Sequence, residues 1–154
     1  MKIKIVIVAL CCSFFLMSAH ADAILTNTAG QKIPFSSFKG KWVLINYWAS
    51  WCQPCVDEIT ELNAFYKQHK DKVVLYAVNF DGVSLEEQLY LIQRHGIQYP
   101  SLAKNPSKQL GLGGIRGVPA TFVFNPEGGL QDTLYGGQTQ RSLKKALDGL
   151  GALG

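Results

Sequence analysis

The length, composition and charge of the chain limit what it can be. It has 154 residues, of which 47% are hydrophobic and 17% charged, which is typical of one globular domain with a sizeable core rather than of a disordered protein. The formal net charge is +4, and no run of Lys or Arg is present. These values exclude the strongly basic footprint of a nucleic-acid-binding protein and a basic membrane-surface patch.

The N-terminal segment is predicted to be a secretory signal peptide rather than part of the fold. Lys2 and Lys4 form a short basic region, and residues 5–17 are an almost unbroken apolar run that is too short for a comfortable membrane span. Ala19 and Ala21 then supply small residues three before and one before a cleavage site. Cleavage is therefore expected after Ala21.

Two alternatives to this cleavage remain open. Ala23 offers a second cleavage site, and the segment could instead be retained as an anchor. A lipoprotein signal is disfavoured, because Cys11 and Cys12 lie too early and neither follows a small residue. The chain is thus divided into a signal peptide over residues 1–21 and a folded domain over residues 22–154.

Strands and helices are predicted to alternate through the folded domain. The expected elements, in chain order, are a short strand or hairpin within 23–38, a strand over 42–48, a helix with Pro54 in its first turn, a strand over 73–80, a helix over 84–95, a short helix over 107–112, a strand over 120–124, its hairpin partner over 130–135 and a closing helix capped by Thr139. This order favours an α/β layout with a mixed sheet.

The helix over residues 84–95 has signals at both ends. Ser84 is the expected N-cap and Gly96 the expected stop. Leu85, Leu89 and Ile92 recur at three- and four-residue steps and therefore share an apolar face.

A pair of cysteines marks the junction between the first long strand and the helix that follows it. With the signal peptide removed, Cys52 and Cys55 would be the only cysteines left, and the formal charge would fall to +2 because 13 basic residues would face 11 acidic ones. Unpaired N–H groups and the dipole of a helix N-terminus favour a thiolate, which is the form that attacks disulfides. Cys52 is therefore expected to be the nucleophile, and Cys55 the thiol that resolves the mixed disulfide.

Two alternatives to redox chemistry are disfavoured. A tetrahedral zinc site needs four ligands, and His69 and His95 lack the close spacing of a paired zinc motif. A structural disulfide across two residues would close a very short loop and add little stability. No metal site is expected.

The segment Trp-Ala-Ser-Trp-Cys-Gln-Pro-Cys over residues 48–55 resembles the active-site segment of thioredoxins, and more closely that of the TlpA/ResA/CcmG group of extracytoplasmic thioredoxin-like proteins. Asn46, Glu58 and the run Gly-Val-Pro-Ala-Thr-Phe over residues 117–122 are similar to other positions of that group. The resemblance implies a thioredoxin-like fold, in which a central mixed β-sheet is flanked by helices, with an inserted strand-helix element between residues 80 and 117.

The resemblance also implies roles for individual residues. Pro119 would have a cis peptide bond, and Val118 would offer backbone hydrogen bonds to a bound peptide. Trp51 would belong to the docking surface, with Trp48 either beside it or in the core. Glu58 would exchange protons with the thiols, the alternative being an ordinary solvated helix position.

The resemblance implies a reductase of protein disulfides outside the cytoplasm, as in cytochrome c maturation. Gln53 adds no charge beside the thiols, so a potential on the reducing side is expected. The reductase would be a monomer recharged by a membrane electron donor of the DsbD/CcdA type, with no cofactor beyond the disulfide of Cys52 and Cys55.

Other functions on the same fold are disfavoured. A DsbA-like oxidase usually has His between its cysteines and a large helical insertion, and an isomerase would often need a dimerisation domain. A Sco-like copper metallochaperone needs three residues between its cysteines, whereas this chain has two. A thiol peroxidase arranges its reactive Cys differently, and a binding module without enzymatic activity would require inert cysteines.

Overall fold

The computed structural model describes residues 22–153, so the predicted signal peptide over residues 1–21 lies outside the described residues. The strands are β1 (Ile24–Thr26), β2 (Lys32–Pro34), β3 (Trp42–Trp48), β4 (Val73–Asn79), β5 (Ser101–Leu102), β6 (Ala120–Phe124) and β7 (Leu130–Tyr135). The helices are α1 (Gln53–His69), α2 (Leu85–His95) and α3 (Gln140–Gly149), with a 3-10 helix at Phe35–Phe38.

Five of the strands form one mixed sheet in the spatial order β5-β4-β3-β6-β7. Strand β4 runs parallel to β3 and β5, whereas β6 runs antiparallel to β3 and β7. Strands β1 and β2 pair separately as an antiparallel hairpin. The predicted mixed sheet with flanking helices is confirmed, and α2 with β5 forms the inserted element between residues 80 and 117.

The pairing of β3 brings three chain segments to one edge of the sheet. Trp48 at the end of β3 is in register with Asn79 at the end of the parallel strand β4. Tyr47 faces Ala120, which begins the antiparallel strand β6. We call this the site edge of the sheet, because the chain leaves β3 toward Cys52, leaves β4 toward α2 and enters β6 here.

The two faces of the sheet have separate cores. Leu44 and Trp48 of β3 face a core layer to which α1, α2 and α3 all contribute. Val43 and Ile45 face the opposite layer, which is formed with the β1–β2 hairpin and the 3-10 helix. This division follows from the alternation of side chains along a strand.

Local signals explain where the helices begin and end. The Ser84 side chain accepts a hydrogen bond from the Glu87 N–H, and Gly96 ends α2 in the left-handed region with φ of 66°. Thr139 and Ser142 form a reciprocal capping box at α3.

The expected packing face of α2 is wrong in part. Leu85 and Leu89 are exposed, Leu89 to 47%, whereas Leu91 is only 6% exposed and lies in the core with α1. His95 packs edge-on against Trp48, with ring centroids 5.5 Å apart. The side of α2 that faces the core therefore carries Leu91 and His95, and it packs against Trp48.

The short helix predicted over residues 107–112 is also wrong, because the chain forms turns there. The Leu110 N–H bonds to the Pro106 carbonyl at 2.9 Å, but Gly111 and Gly113 then adopt positive φ values of 64° and 70°. A right-handed helix cannot continue through such residues.

Leu91→Ala and Leu89→Ala should have different effects on stability. Leu91→Ala should lower the free energy of unfolding by about 2–4 kcal/mol, because it opens a cavity in the core. Leu89→Ala should cost less than about 1 kcal/mol, because that side chain is largely in solvent. Urea unfolding of both variants measures these costs, and equal losses would contradict the observed packing of α2.

Candidate active site

The two cysteines form a disulfide at the N-terminus of α1, with their Cα atoms 5.3 Å apart. Cys52 is the N-cap of the helix, and its sulfur accepts a hydrogen bond from the Cys55 N–H at 3.3 Å. Cys52 is 6% exposed and Cys55 is completely buried. An external sulfur can therefore approach Cys52 but not Cys55.

The environment of Cys52 favours a negative charge on its sulfur after reduction. The N–H of Cys55 already points at this atom in the disulfide form, and the positive end of the α1 dipole lies at the same place. Both features stabilise a thiolate relative to a thiol, and the thiolate is the nucleophile in disulfide exchange.

The loop before β6 lies directly against the disulfide. The carbonyl oxygen of Val118 is 3.6 Å from the Cys52 sulfur, and the Val118–Pro119 peptide bond is cis, the conformation that the resemblance implies. Pro119 is buried, and its carbonyl accepts a hydrogen bond from the Gly136 N–H at 2.9 Å. The structure thus brings Val118 and Pro119 to the expected position beside Cys52.

The two tryptophans near the cysteines have different environments. Trp51 precedes Cys52 and is 69% exposed, an unusual position for a large aromatic side chain. Trp48 is buried and packs against His95, so of its two predicted positions the core one is confirmed. Trp51 is therefore the tryptophan available to a docking partner.

Glu58 lies inside the protein and not on a solvated helix face. It is only 3% exposed, although it is one helical turn beyond Cys55. Its two carboxylate oxygens accept hydrogen bonds from the Asn46 side-chain amide at 2.8 Å and from the Gln138 N–H at 2.7 Å. Burial raises the pKa of Glu58 to about 7, while these two hydrogen bonds act in the opposite direction.

A buried polar cluster surrounds Glu58. The Asn46 side-chain amide also donates to the Thr121 hydroxyl at 3.1 Å, and the Tyr99 hydroxyl donates to the side-chain oxygen Oδ1 of Asn46 at 3.4 Å. Burial raises the pKa of Tyr99 well above its ordinary value, and the nearby charge of Glu58 adds to this shift. Tyr99 therefore stays protonated in this cluster and acts as a hydrogen-bond donor.

Three members of the cluster were not predicted from the sequence. Thr121 is a polar residue within an apolar strand, which is a signal that could have been used. Tyr99 carries no such signal. Gln138 acts through its backbone N–H, so its residue type gives no indication of the contact.

A surface cleft of about 240 Å³ reaches Glu58. Its lining residues are Pro54, Asp57, Glu58, Glu61, Gly137, Gln138 and Thr139. The cleft lies between the start of α1 and the approach to α3. It gives water and protons a route to the neighbourhood of Glu58.

Residues 22–153 contain neither a candidate metal cluster nor a helix that could span a membrane. Within these residues, no three His, Cys, Asp or Glu side chains come together as a metal site would require. No helix in the same range is long and apolar enough to cross a membrane.

The chain is similar to a known protein family and to a curated relative within the thiol-disulfide oxidoreductases. The model of the AhpC/TSA family matches residues 18–133. The chain is 28% identical over 122 residues to the thiol-disulfide oxidoreductase ResA of Bacillus anthracis, which covers 79% of this chain and 70% of that protein.

Two solved structures confirm the thioredoxin-like fold. StoA from Bacillus subtilis matches with a TM-score of 0.66 at 25% identity, covering 79% of this chain and 92% of StoA. The pneumococcal exposed lipoprotein thioredoxin from Streptococcus pneumoniae matches with a TM-score of 0.68 at 27% identity, covering 84% of this chain and 99% of that one.

The buried carboxyl group of Glu58 should make stability depend on pH. Its pKa rises from 4.5 to about 7 on folding, so between these values the folded protein binds more protons than the unfolded chain. The contribution of this group to the free energy of unfolding is fully present below pH 4.5. It is lost as the pH rises through 7, which lowers the free energy of unfolding by about 3 kcal/mol.

Urea unfolding of the disulfide form at several pH values, compared with Glu58→Gln, measures this effect. The difference between the two proteins should change across the interval from pH 4.5 to 7. Glu86→Gln, at an exposed position of α2, is the control and should follow the wild-type curve. Parallel curves for wild type and Glu58→Gln would contradict the shifted pKa.

Proposed function

From the premise that this chain belongs to the AhpC/TSA family and is a thiol–disulfide oxidoreductase of the ResA and StoA type, we propose that it reduces protein disulfides outside the cytoplasm. The observation that carries the proposal is the asymmetric pair, in which Cys52 caps a helix beside Val118 while Cys55 is completely buried.

The reaction requires two successive exchanges. The Cys52 thiolate attacks one sulfur of the substrate disulfide, that bond breaks, and the second substrate sulfur leaves as a thiolate that takes up a proton. The Cys55 thiol then loses its proton and attacks the Cys52 sulfur. This step releases the other substrate sulfur as a thiol and restores the Cys52–Cys55 disulfide, so that two electrons pass to the substrate.

Glu58 is the proposed proton acceptor for the resolving step. Cys55 must lose a proton inside the protein, and Glu58 is a buried carboxyl group one helical turn away on α1. With a pKa of about 7, both of its protonation states are populated near neutral pH, as general acid–base catalysis requires. The adjoining cleft supplies the route by which the proton exchanges with water.

The substrate would bind across Cys52. Val118 offers its backbone to an extended peptide on one side of the sulfur, and the buried Pro119 holds this loop in place. The exposed ring of Trp51, the residue before Cys52, supplies an apolar contact. A folded or partly unfolded protein whose disulfide lies in an accessible segment fits this surface.

The direction of electron flow and the location are part of the same proposal. The predicted signal peptide over residues 1–21 would export the domain over 22–154, and a similar pneumococcal protein is described as an exposed lipoprotein. In an oxidising compartment a reductase must be recharged, and a membrane donor of the DsbD/CcdA type would do so. We propose a monomer, without a cofactor beyond its disulfide, that acts in cytochrome c maturation as the resemblance implies.

The reduced protein should reduce insulin, with dithiothreitol as the chemical electron donor. Turbidity from the released insulin chain measures the rate, and a redox titration of the Cys52–Cys55 pair should give a reducing midpoint potential. A strongly oxidising potential together with intact insulin would overturn the reductase direction.

Single replacements of the cysteines separate their roles in this assay. Cys55→Ser should accumulate mixed disulfides with substrate, because Cys52 still attacks but nothing resolves the bond. Cys52→Ser should accumulate few, because Cys55 is buried. Equal trapping by both variants would contradict the assignment of Cys52 as the nucleophile.

Replacement of Glu58 should change the pH dependence of the thiols. In Glu58→Gln the negative charge is gone, so the pKa of the Cys55 thiol should fall, because a nearby like charge no longer opposes ionisation. Resolution of mixed disulfides should nevertheless be slower by roughly 10²–10⁴-fold, because the proton acceptor is missing. The ultraviolet absorbance of the thiolates in the reduced protein, followed against pH, measures the first effect, and an unchanged profile would remove the proposed role of Glu58.

A further inference from the structure

An acidic side chain in the loop after β4 is bound to the loop that leads to Cys52. The N–H of Ser50 donates to both carboxylate oxygens of Asp81, at 3.2 and 3.0 Å, and the Ser50 hydroxyl donates to one of them at 2.8 Å. The parallel register of Trp48 with Asn79 brings these two loops together at the site edge of the sheet.

Asn79 holds the carboxylate of Asp81 from the other side. The Asn79 side-chain amide donates to Asp81 at 2.5 Å, and the Asp81 N–H donates back to the side-chain oxygen Oδ1 of Asn79 at 3.0 Å. The next backbone group also connects the two loops, since the Phe80 N–H bonds to the Trp48 carbonyl at 2.8 Å. Asp81 therefore has a defined position and can act as an anchor for Ser50.

Ser50, which Asp81 anchors, is separated from the reactive Cys52 by a single residue. Ser50 is followed by the exposed Trp51 and then by Cys52, whose N–H bonds back to the Ala49 carbonyl at 3.2 Å. The Ser50 N–H and the Ser50 hydroxyl both donate to Asp81. The place of Trp51 relative to Cys52 thus depends on how firmly Ser50 is held.

We propose that Asp81 is a positioning residue that acts through Ser50 to hold Trp51 beside Cys52 for the docking of protein substrates. This inference rests on the proposed function, because it concerns the substrate of the same site. A protein substrate must contact Trp51, Val118 and the Cys52 sulfur together, so a displaced Trp51 weakens its binding. A small disulfide needs only the sulfur and is insensitive to the position of Trp51.

The hydrogen bonds between Asp81 and its neighbours explain why this position carries a carboxylate. Three donor groups converge on Asp81: the Ser50 N–H, the Ser50 hydroxyl and the Asn79 amide. An ionised carboxylate offers only acceptors, and its hydrogen bonds are stronger than those of a neutral group. An amide at this position would turn a donor toward another donor and would weaken the anchor.

The test compares a protein disulfide with a small one in a series of variants. For Asp81→Ala, kcat/KM with insulin should fall about tenfold, mainly through KM, whereas turnover of 5,5′-dithiobis(2-nitrobenzoate) should stay within about twofold. Asp81→Asn should fall between wild type and Asp81→Ala, and it supplies a milder change if Asp81→Ala unfolds. Asp71→Ala, an exposed acid after α1, is the matched control and should behave as wild type on both substrates.

A double replacement tests whether Asp81 acts through Trp51. Trp51→Ala alone should weaken insulin reduction, and adding Asp81→Ala should then cost little more, because the two changes remove the same contact. Independent, additive losses, equal losses on insulin and the small disulfide, or an unchanged KM for insulin in Asp81→Ala would each overturn the inference.

Failure of the reductase proposal has a different signature. In that case the wild type itself would leave insulin intact. The same variants would then be compared in the oxidation of a reduced protein and of dithiothreitol. The inference predicts the same preferential loss on the protein substrate, and its absence would overturn the inference.

Discussion

The position of β3 in the middle of the sheet is the constraint on which the rest of the site depends. Its parallel pairing with β4 and antiparallel pairing with β6 place the end of β3, the end of β4 and the start of β6 at one edge. Cys52, Asp81 and Val118 lie in the loops that follow β3, follow β4 and precede β6 at this edge, although they are far apart along the chain. Because all three belong to loops attached to paired strands, a rigid scaffold determines the distances between them.

A second constraint is the placement of polar groups inside an apolar layer. Asn46 and Glu58 occupy positions in β3 and α1 that face the helix-side core, where burying an unpaired polar group is costly. The cost is reduced because the Asn46 side-chain amide and the Gln138 N–H both donate to the carboxylate, and the Asn46 amide also donates to the Thr121 hydroxyl. The arrangement leaves a titratable carboxyl group buried one helical turn from Cys55.

Most of the architecture could be predicted from local pattern, and the exceptions have physical causes. Strand β3 and strand β6 were predicted with the bounds that the structure shows, because long apolar runs with clear boundaries leave little choice. The packing face of α2 was not, because it depends on tertiary contacts such as that of His95 with Trp48, which the spacing of Leu85 and Leu89 does not reveal. The helix predicted over 107–112 does not form, because Gly111 adopts a positive φ that a right-handed helix cannot continue through.

The sequence by itself determined the chemistry of this protein: two cysteines at a strand-to-helix junction, with the resemblance pointing to Glu58 and the Val118–Pro119 loop. Residue types and short spacings are enough to predict this chemistry, because the N-terminus of a helix stabilises a thiolate on a cysteine that lies next to it in the sequence. Only the tertiary structure decided that Cys55 is closed to solvent, that Glu58 is buried with a raised pKa, and that Asp81 anchors Ser50. These properties depend on groups that are distant in the chain and meet only when β3 is paired on both sides.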